Sequence, residues 1–374
     1  MSVVIKEVLT KKDLKKWVDF PTKLYKKVPA YVPFLRPDEI STFTKSENCA
    51  YDFCETKLFL AYKDNKIVGR IGGLINHAAN KKWGTQNIRF TRFDFIDDYE
   101  VSSALFNKVV EWGKERGFNK IIGPIGFTDL DHEGMLIEGF DELNMSITFY
   151  NFPYYIDHME KLGLEKEVDW IEFRLTLPKE HSEKHAKISA YLQNRYGIKI
   201  CTYKNRKTLI KDAFPAFKVV DEAFSRLYGT VPLTDRVIEK TIKDNISVIN
   251  LKYVCTIKDS KDELIGFALL VPSIAKALKK SNGKMFPFGI FRILKALFGK
   301  NDTLEMFLIA VKPEYQSKGI PAIMIDSMIK ELIKNGVKYC ETGPELELNT
   351  QIQSVWKGFD VKNHKRRRCY RKDI

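Results

Sequence analysis

The most informative feature of this sequence is a group of backbone N–H groups that the sequence places at the start of a helix, where they could bind an anion. The apolar stretch 304–311 predicts a strand, Pro313 ends it, and an amphipathic helical pattern runs from Ile320. Between them, residues 316–319 (Gln-Ser-Lys-Gly) leave several N–H groups unpaired at the start of the predicted helix. A helix N-terminus concentrates unpaired donors and about half a positive charge. The segment therefore predicts an anion site, where a pyrophosphate can bind without a metal.

The same residues resemble a known family. A strand that ends in Val-x-Pro-x-Tyr, followed by Gln-x-x-Gly at the start of a helix, is similar to the pyrophosphate loop of the GNAT acyltransferase superfamily. Pro321 departs from the family pattern, which has Gly or Ala there, and it removes one possible phosphate donor. The resemblance implies that acetyl-CoA or a longer acyl-CoA binds through Ala310, Val311, Gln316, Ser317, Lys318, Gly319, Ile320, Pro321 and Asn349.

A resemblance to one subgroup of this superfamily extends over nearly the whole chain. After the loop come a strand-like run at 337–342 and a basic run at 365–372, which resembles the last strand of large bacterial GNAT-like proteins. Glu341, Glu347 and Asn349 match the Glu-x5-Glu-x-Asn signature of that subgroup. The resemblance implies a CoA-dependent N-acyltransferase that passes an acyl group to an amine.

Transfer of an acyl group from a thioester to an amine needs a base, a polarised carbonyl and a proton for the leaving thiolate. The candidate bases are Glu347 and Glu341, with Glu305 on the predicted strand in reserve and Asn349 beside them in the signature. Each of these carboxylates could instead serve as a surface ion pair or as the acid at a helix start.

The proton donor is a separate question. GNAT enzymes often place a Tyr in the helix after the fifth strand, but this chain has Trp356 in that region, and an indole is no general acid. Tyr370 and Tyr315 are the candidate acids, and a solvent proton is the alternative.

The two halves of the sequence show the same order of predicted elements. In each half a hairpin, a further strand, a helix and another strand follow one another. Gly69 and Gly266 occupy equivalent places in the two hairpins. The resemblance therefore implies an α/β (α+β) fold of two tandem GNAT-like domains, each a mixed, mostly antiparallel sheet flanked by helices.

We place the first domain at residues 1–180 and the second at residues 190–374, with an insertion at 272–302. Only the second has the glycine-containing loop. The corresponding connection of the first domain, at 94–100, is acidic and has no glycine, so it would repel a pyrophosphate. We expect one acyl-CoA site per chain.

Composition narrows the class of protein. The chain has 374 residues, 44% of them hydrophobic, which is enough for packed cores. It has no apolar run of membrane-spanning length and no secretory signal pattern, so we expect a cytoplasmic protein. Its six cysteines form no Cys-x-x-Cys pair. His181 and His185 have a helical i, i+4 spacing but lie among charged residues of a solvated segment, so no metal site is predicted.

The formal net charge of +14 is concentrated in two segments. Residues 274–300 contain seven Lys/Arg and no acid, and residues 362–374 contain seven Lys/Arg against one acid. Such clustering predicts an anionic partner, namely the CoA phosphates, an anionic lipid surface or nucleic acid. A basic face that only aids solubility is the alternative.

Residues 285–298 combine four phenylalanines with basic residues. This composition fits either a peripheral membrane contact or the lining of an acyl pocket, and packing against the first domain is the competing interpretation. We expect a small-molecule or lipid-like amine as acceptor. A non-catalytic protein that binds acyl-CoA or lipid is the alternative function. A nucleic-acid-binding protein is disfavoured because no helix-turn-helix, zinc finger or aromatic RNA motif is present.

Overall fold

A computed structural model describes residues 2–374 as one continuous β-sheet with helices on both faces. The strands are β1 (Val4–Glu7), β2 (Cys54–Lys63), β3 (Lys66–Asn76), β4 (Asn87–Phe95), β5 (Lys120–Gly123), β6 (Met135–Glu138), β7 (Glu165–Thr176), β8 (Lys199–Cys201), β9 (Val254–Lys258), β10 (Leu264–Pro272), β11 (Thr303–Val311), β12 (Tyr339–Thr342), β13 (Glu345–Leu346) and β14 (Asp360–Asp373). The helices are α1 (Lys11–Leu24), α2 (Arg36–Thr42), α3 (His77–Trp83), α4 (Tyr99–Glu115), α5 (Tyr155–Lys161), α6 (Glu183–Tyr196), α7 (Arg206–Phe224), α8 (Asp235–Asn245), α9 (Ala275–Ser281), α10 (Gly289–Phe298), α11 (Ile320–Lys334) and α12 (Thr350–Val355).

The order of strands across the sheet is β1-β2-β3-β4-β5-β14-β7-β12-β11-β10-β9-β8. Two pairs, β4–β5 and β11–β12, are parallel, and the other neighbours are antiparallel. The predicted mixed, mostly antiparallel sheet flanked by helices is therefore confirmed. Within residues 2–374, none of the helices has the length and apolar character needed to cross a membrane.

The same series of elements occurs twice along the chain. The series from β1 to β7 is repeated from β8 to β14, with α9 and α10 in the place of α3. Gly69 lies opposite Phe95 in the first half, and Gly266 lies opposite Val311 in the second. The two glycines are therefore structurally equivalent, and so are the ends of β4 and β11.

The last strand of each half lies beside strands of the other half. Strand β14 lies between β5 and β7, and β7 lies between β14 and β12. The pairing of β7 with β14 runs from Thr176 opposite Asp360 to Glu165 opposite Arg371. The sheet thus continues across the boundary that the sequence predicts between residues 180 and 190.

Charged side chains are buried in the middle of this sheet. Arg367 and Lys365 of β14 and Glu172 of β7 are almost completely excluded from solvent. Arg367 is hydrogen-bonded to Glu172, and the Lys365 ammonium lies 3.4 Å from the same carboxylate. Burial opposes ionisation of Glu172, but the two cations outweigh it and lower its pKa.

The basic run near the C-terminus therefore does not form the free cationic face that its composition predicts. Acids of β7 and of adjoining segments pair with most of its side chains, at 2.6 Å for Lys362–Glu142, 2.8 Å for Arg368–Asp169, 3.2 Å for Arg366–Glu347 and 3.2 Å for Arg371–Glu167. Three of these acids, Glu142, Asp169 and Glu167, lie about 200 residues before their partners along the chain, so the pairing is not visible in the sequence.

Glu172→Gln should destabilise the protein by about 3–5 kcal/mol, because it leaves two buried cations without their carboxylate. Glu165→Gln is the matched control on the same strand, since its carboxylate is exposed and lies 3.9 Å from Arg371. We expect this control to stay within ~0.5 kcal/mol of the parent protein. Denaturant unfolding measures both variants, and equal losses would contradict a stabilising role for the buried pair.

Candidate active site

A gap opens in the sheet beside β11. This strand runs parallel to β12 from Thr303–Tyr339 to Met306–Thr342, and beyond Met306 the two chains separate. The far side of the gap is β13, which pairs with β7 instead, Leu346 lying opposite Trp170. Phe307 is an extra residue in the pairing with β10, so the strand is bulged where the gap begins. Residues 307–311, including the predicted Ala310 and Val311, have no strand partner on this edge among residues 2–374.

The predicted anion loop lies at the end of the same strand. A 3₁₀ turn, Pro313–Lys318, leads to Gly319, whose φ of +74° is left-handed, and α11 begins at the next residue. Within residues 2–374 no backbone acceptor is found for the amides of Gly319 and Ile320. The Gln316 side chain donates to the Val311 carbonyl at 3.1 Å and so fixes the loop to the strand. The two unpaired amides and the positive end of the α11 dipole therefore lie together at the start of the helix, where an anion can bind.

A cavity of ≈ 1820 Å³ connects the loop, the gap and the opposite face of the sheet. Its walls include Gln316, Ser317, Gly319 and Pro321 of the loop, residues 306–311 and 342–346 on the two sides of the gap, and Asn349. Side chains of α7, α8 and α10, most of them apolar, line the far part. Residues 129–133 and Ser146 add a wall from the first half of the chain. The cavity is therefore built by both halves.

Glu305 lies beside the apex of the gap. Its carboxylate accepts hydrogen bonds from the hydroxyls of Ser273, at 2.6 Å, and Ser146, at 3.0 Å. Burial, opposed by the Ser273 hydroxyl and assisted by the nearby Glu341 carboxylate, raises the pKa of Glu305 to about 7. Glu305 itself does not line the cavity, but Ser146, which donates to its carboxylate, does. The reserve base of the sequence prediction is thus a carboxylate suited to exchange a proton near neutral pH.

A histidine that the sequence prediction missed lines the same cavity. The Nδ1 atom of His132 lies 3.0 Å from a carboxylate oxygen of Asp131, and Arg92 holds that carboxylate at 2.7 Å. Nε2 is buried and has no hydrogen-bond partner among the described residues. Nδ1 contacts both the Asp131 carboxylate, which can only accept, and the Arg92 guanidinium, which can only donate and lies 3.3 Å away. The shorter contact, with Asp131, favours a hydrogen on Nδ1 and a lone pair on Nε2. The Asp131-His132 pair in the sequence was the available signal.

Glu345 was also missed, and it lies on the far side of the gap. The Trp356 indole N–H donates to one of its oxygens at 2.9 Å, while the other is buried and has no hydrogen-bond partner in the described part of the chain. Burial, partly offset by the indole, raises the pKa of Glu345 to about 7. Both residues line the cavity. The tryptophan found in place of the family's tyrosine therefore positions a carboxylic acid at the gap.

The arrangement of elements matches solved structures of known fold. A tandem GNAT protein from the clavulanic acid biosynthesis pathway aligns over 100% of this chain and 98% of its own, with a TM-score of 0.59 and 10% sequence identity. The chain has the tandem GNAT fold. The GNAT resemblance predicted from the loop is confirmed at the level of fold.

Two bacterial proteins are similar to this tandem GNAT chain over nearly its whole length. Protein YghO of Escherichia coli strain K12 is 27% identical over 381 residues, covering 99% of this chain and 95% of that protein. Bacterial ceramide synthase of Caulobacter vibrioides is 22% identical over 379 residues, covering 98% and 96%. No family model matches the chain.

The GNAT fold places the residues predicted from the signature at different sites. Glu341 is buried and pairs with Arg174 at 2.7 Å. Glu347 pairs with Lys166 at 2.5 Å and Arg366 at 3.2 Å. Neither lines the cavity. Asn349 does, and its side chain caps α12 by accepting from the Ile352 amide at 3.5 Å.

The two candidate tyrosines also lie away from the gap. Tyr370 belongs to the hydrophobic core of the first half, opposite Gly123, and burial raises its pKa to about 12. Tyr315 donates to Asp259 at 3.2 Å and lies under the ammonium of Lys318. Neither Tyr370 nor Tyr315 lines the cavity. The structure thus groups the loop, the end of β11 and Asn349, and separates them from Glu341, Glu347 and Tyr370.

The equivalent gap in the first half is filled by its own side chains. Strands β4 and β5 pair only from Asn87–Lys120 to Arg89–Ile122. Beyond that point the Phe95 amide donates to the Tyr155 hydroxyl at 2.8 Å, and the Tyr154 hydroxyl donates to the Phe95 carbonyl at 2.6 Å. The Tyr155 ring also stacks on Phe95. The strand end equivalent to Val311 is therefore already paired.

Within residues 2–374, no group of three or more His, Cys, Asp or Glu side chains could hold a metal ion. His181 instead pairs with Asp326 of α11 at 2.6 Å.

Glu305→Gln should make stability less dependent on pH. The folded-state pKa of about 7 is above the ordinary 4.5, so the stability that the protonated carboxyl provides is complete below pH 4.5 and is lost as pH rises through 7. A neutral glutamine avoids this loss, which amounts to roughly 3 kcal/mol at ~1.4 kcal/mol per pH unit. Denaturant unfolding at pH 5 and pH 8 measures the difference. Glu314→Gln, at an exposed site in the loop, is the control, and parallel curves for all three proteins would contradict the raised pKa.

Proposed function

We propose that this protein is an acyl-CoA-dependent N-acyltransferase whose acceptor is an amine with a lipid-like body. One observation carries the proposal: the gap beside β11 joins a loop with unpaired amides to a large, mostly apolar cavity on the other face of the sheet. The acyl-CoA and the acceptor can therefore approach one point from opposite sides.

The acyl-CoA substrate fits the loop and the gap. The amides of Gly319 and Ile320 supply donors for the pyrophosphate, and the unpaired edge 307–311 supplies peptide groups for the pantetheine arm. Pro321, at the second position of α11, lacks a donor without removing these two. The filled gap next to Phe95 supports one acyl-CoA site per chain.

The chemistry needs no covalent enzyme intermediate. The amine nitrogen attacks the carbonyl carbon of the thioester, a C–N bond forms, and the C–S bond breaks to release the CoA thiolate. Backbone amides on the edge 307–311 stabilise the developing oxyanion. Glu305, through the Ser146 hydroxyl, accepts the proton that the amine loses.

Glu345 donates the proton that the thiolate gains. Its carboxyl is partly protonated at neutral pH, it lies on the wall of the gap, and one oxygen has no other partner. Because Trp356 holds the other oxygen, the acid has a fixed orientation. The pair thus replaces the family's tyrosine. We propose that His132, on the cavity wall from the first half, binds the acceptor amine.

The size and lining of the cavity support a lipid-like acceptor. At ≈ 1820 Å³ it exceeds the ~300–1,000 Å³ that is common for small ligands. Leu209, Phe217, Ile293 and Leu297 are among the apolar side chains that line it. The Caulobacter relative is called a ceramide synthase, and a ceramide is the amide of a fatty acid with a long-chain amino alcohol. A long-chain amino alcohol is therefore the acceptor class that we propose.

A non-catalytic protein that binds acyl-CoA is the second candidate, and the observation that favours it is Trp356 in the region where GNAT enzymes often have the tyrosine that acts as general acid. This candidate predicts binding without turnover. Nucleic-acid binding loses its main support, because the cations of 362–374 are largely buried or paired with acids.

Gly319→Ala should weaken CoA binding at least tenfold. An added Cβ would lie 2.9 Å from Leu192 of α6, and the left-handed backbone that presents the two amides would be strained. Gly336→Ala is the matched control: it has a similar φ of +73° at the other end of α11, but open space around it. Calorimetry with CoA measures both variants. Equal affinities for the two variants and the parent protein would contradict the loop as the pyrophosphate site.

The pH dependence of kcat tests the two carboxyl groups, with palmitoyl-CoA and sphinganine as substrates. A base must be ionised and an acid protonated, so kcat should rise as Glu305 ionises and fall as Glu345 ionises, both near pH 7. Glu305→Gln should remove the rising limb and Glu345→Gln the falling limb, each lowering kcat by roughly 100-fold.

Two further variants complete this test. Glu347→Gln should change kcat little, because its carboxylate pairs with Lys166 outside the cavity. His132→Gln should raise KM for the amine and keep both limbs. Loss of the rising limb in His132→Gln, but not in Glu305→Gln, would make the histidine the base. Turnover that is absent in the parent protein despite CoA binding would favour the second candidate function.

A further inference from the structure

The helix α10 has two apolar faces that differ in burial. Its inner face, Ile293 and Leu297, is buried and lines the cavity. On the outer side Phe288 is 64%, Phe291 67% and Phe298 45% exposed, and Phe286 just before the helix is 77% exposed. The four phenylalanines predicted either to line an acyl pocket or to pack against the first half do neither. Aliphatic residues of the helix form the pocket wall instead.

The inner face of α10 makes the contacts that pack this helix against the rest of the chain. Ile293 and Leu297 belong to a buried cluster with Val32 of the first half, Leu278 of α9 and neighbouring residues. Nothing in residues 2–374 covers the outer phenylalanines, which form the most exposed group of aromatic side chains in the described chain. Large exposed apolar patches of this kind mark contact sites.

The basic residues of this segment are mostly exposed and form few ion pairs with the described residues. Six of the seven basic residues of 274–300 are exposed, namely Lys276, Lys280, Lys284, Arg292, Lys295 and Lys300. Within residues 2–374, Lys276 is the one member of this group that forms an ion pair shorter than 4 Å, with Asp302 at 3.8 Å. A protein partner would need matching carboxylates, whereas an anionic bilayer offers both negative headgroups and an apolar layer beneath them.

We propose that the docking segment, residues 276–300, binds the surface of an anionic membrane with its outer phenylalanines in the headgroup–acyl boundary. Aromatic and leucine side chains on one face of a basic amphipathic helix are typical of such binding. The cations add roughly fivefold in affinity for each Lys or Arg near the surface. This binding does not depend on the acyl-transfer reaction.

The entrance of the cavity lies next to the docking segment. Leu294 of α10 is 39% exposed and also lines the cavity, and so does Val248 at 37%. The entrance therefore opens beside the docking segment. A lipid-like molecule can pass from the membrane into the cavity with little exposure of its chain to water.

Co-sedimentation of the full chain with vesicles tests the proposal. We expect binding to phosphatidylcholine vesicles that contain phosphatidylserine, at least tenfold weaker binding to phosphatidylcholine alone, and a decrease with salt. Phe288→Ser/Phe291→Ser should weaken binding at least tenfold. Ile210→Ser/Tyr191→Ser is the control, because it removes exposed apolar side chains of α7 and α6.

Two charge-reversal variants measure how much the lysines of the docking segment contribute to vesicle binding. Lys284→Glu/Lys295→Glu should lower binding at least tenfold, whereas Lys207→Glu/Lys211→Glu, on the exposed surface of α7, should change it much less. CoA affinity, measured on the same proteins, should be the same in all variants and reports on the proposed function separately. The proposal is overturned if the parent protein binds neither vesicle type, if Phe288→Ser/Phe291→Ser binds like the parent, or if those substitutions instead abolish a dimer seen by light scattering.

Discussion

The pairing of β7 with β14 is the constraint on which the rest of the structure depends. Each strand is the last of its half, and each completes the sheet of the other half. Because β7 also holds β13, it fixes the far side of the gap beside β11. The buried contact of Arg367 with Glu172 favours this register, since a slipped strand would leave both charges without partners.

A composite site follows from this exchange. The second half provides the loop, the bulged strand and Glu345, while the first half provides Ser146 and His132. Duplicated folds can diverge when one copy keeps an open site and the other becomes support. Here the first half also contributes side chains to the site. Ser146 donates a hydrogen bond to the Glu305 carboxylate of the second half, and one wall of the cavity comes from the first half.

The sequence predicts features that depend on neighbouring residues. The loop at Gly319, where the backbone is left-handed, is encoded within a few positions. Features that depend on residues far apart along the chain could not be predicted from the sequence. The hydrogen bond from Ser146 to Glu305 joins residues that lie 159 positions apart, and the pairing of the basic run at 362–374 with acids of β7 cannot be placed from periodicity.

The exchange of last strands also orders events during synthesis on the ribosome. Strand β5 pairs with β4 on one edge and with β14 on the other. Its second edge therefore stays unpaired until β14, at the end of the second half, has been translated. The edge of β5 is therefore exposed to solvent and to other nascent chains throughout that interval. A fold with this connectivity gains from chaperones that shield unpaired edges, and its halves are poor candidates for separate expression.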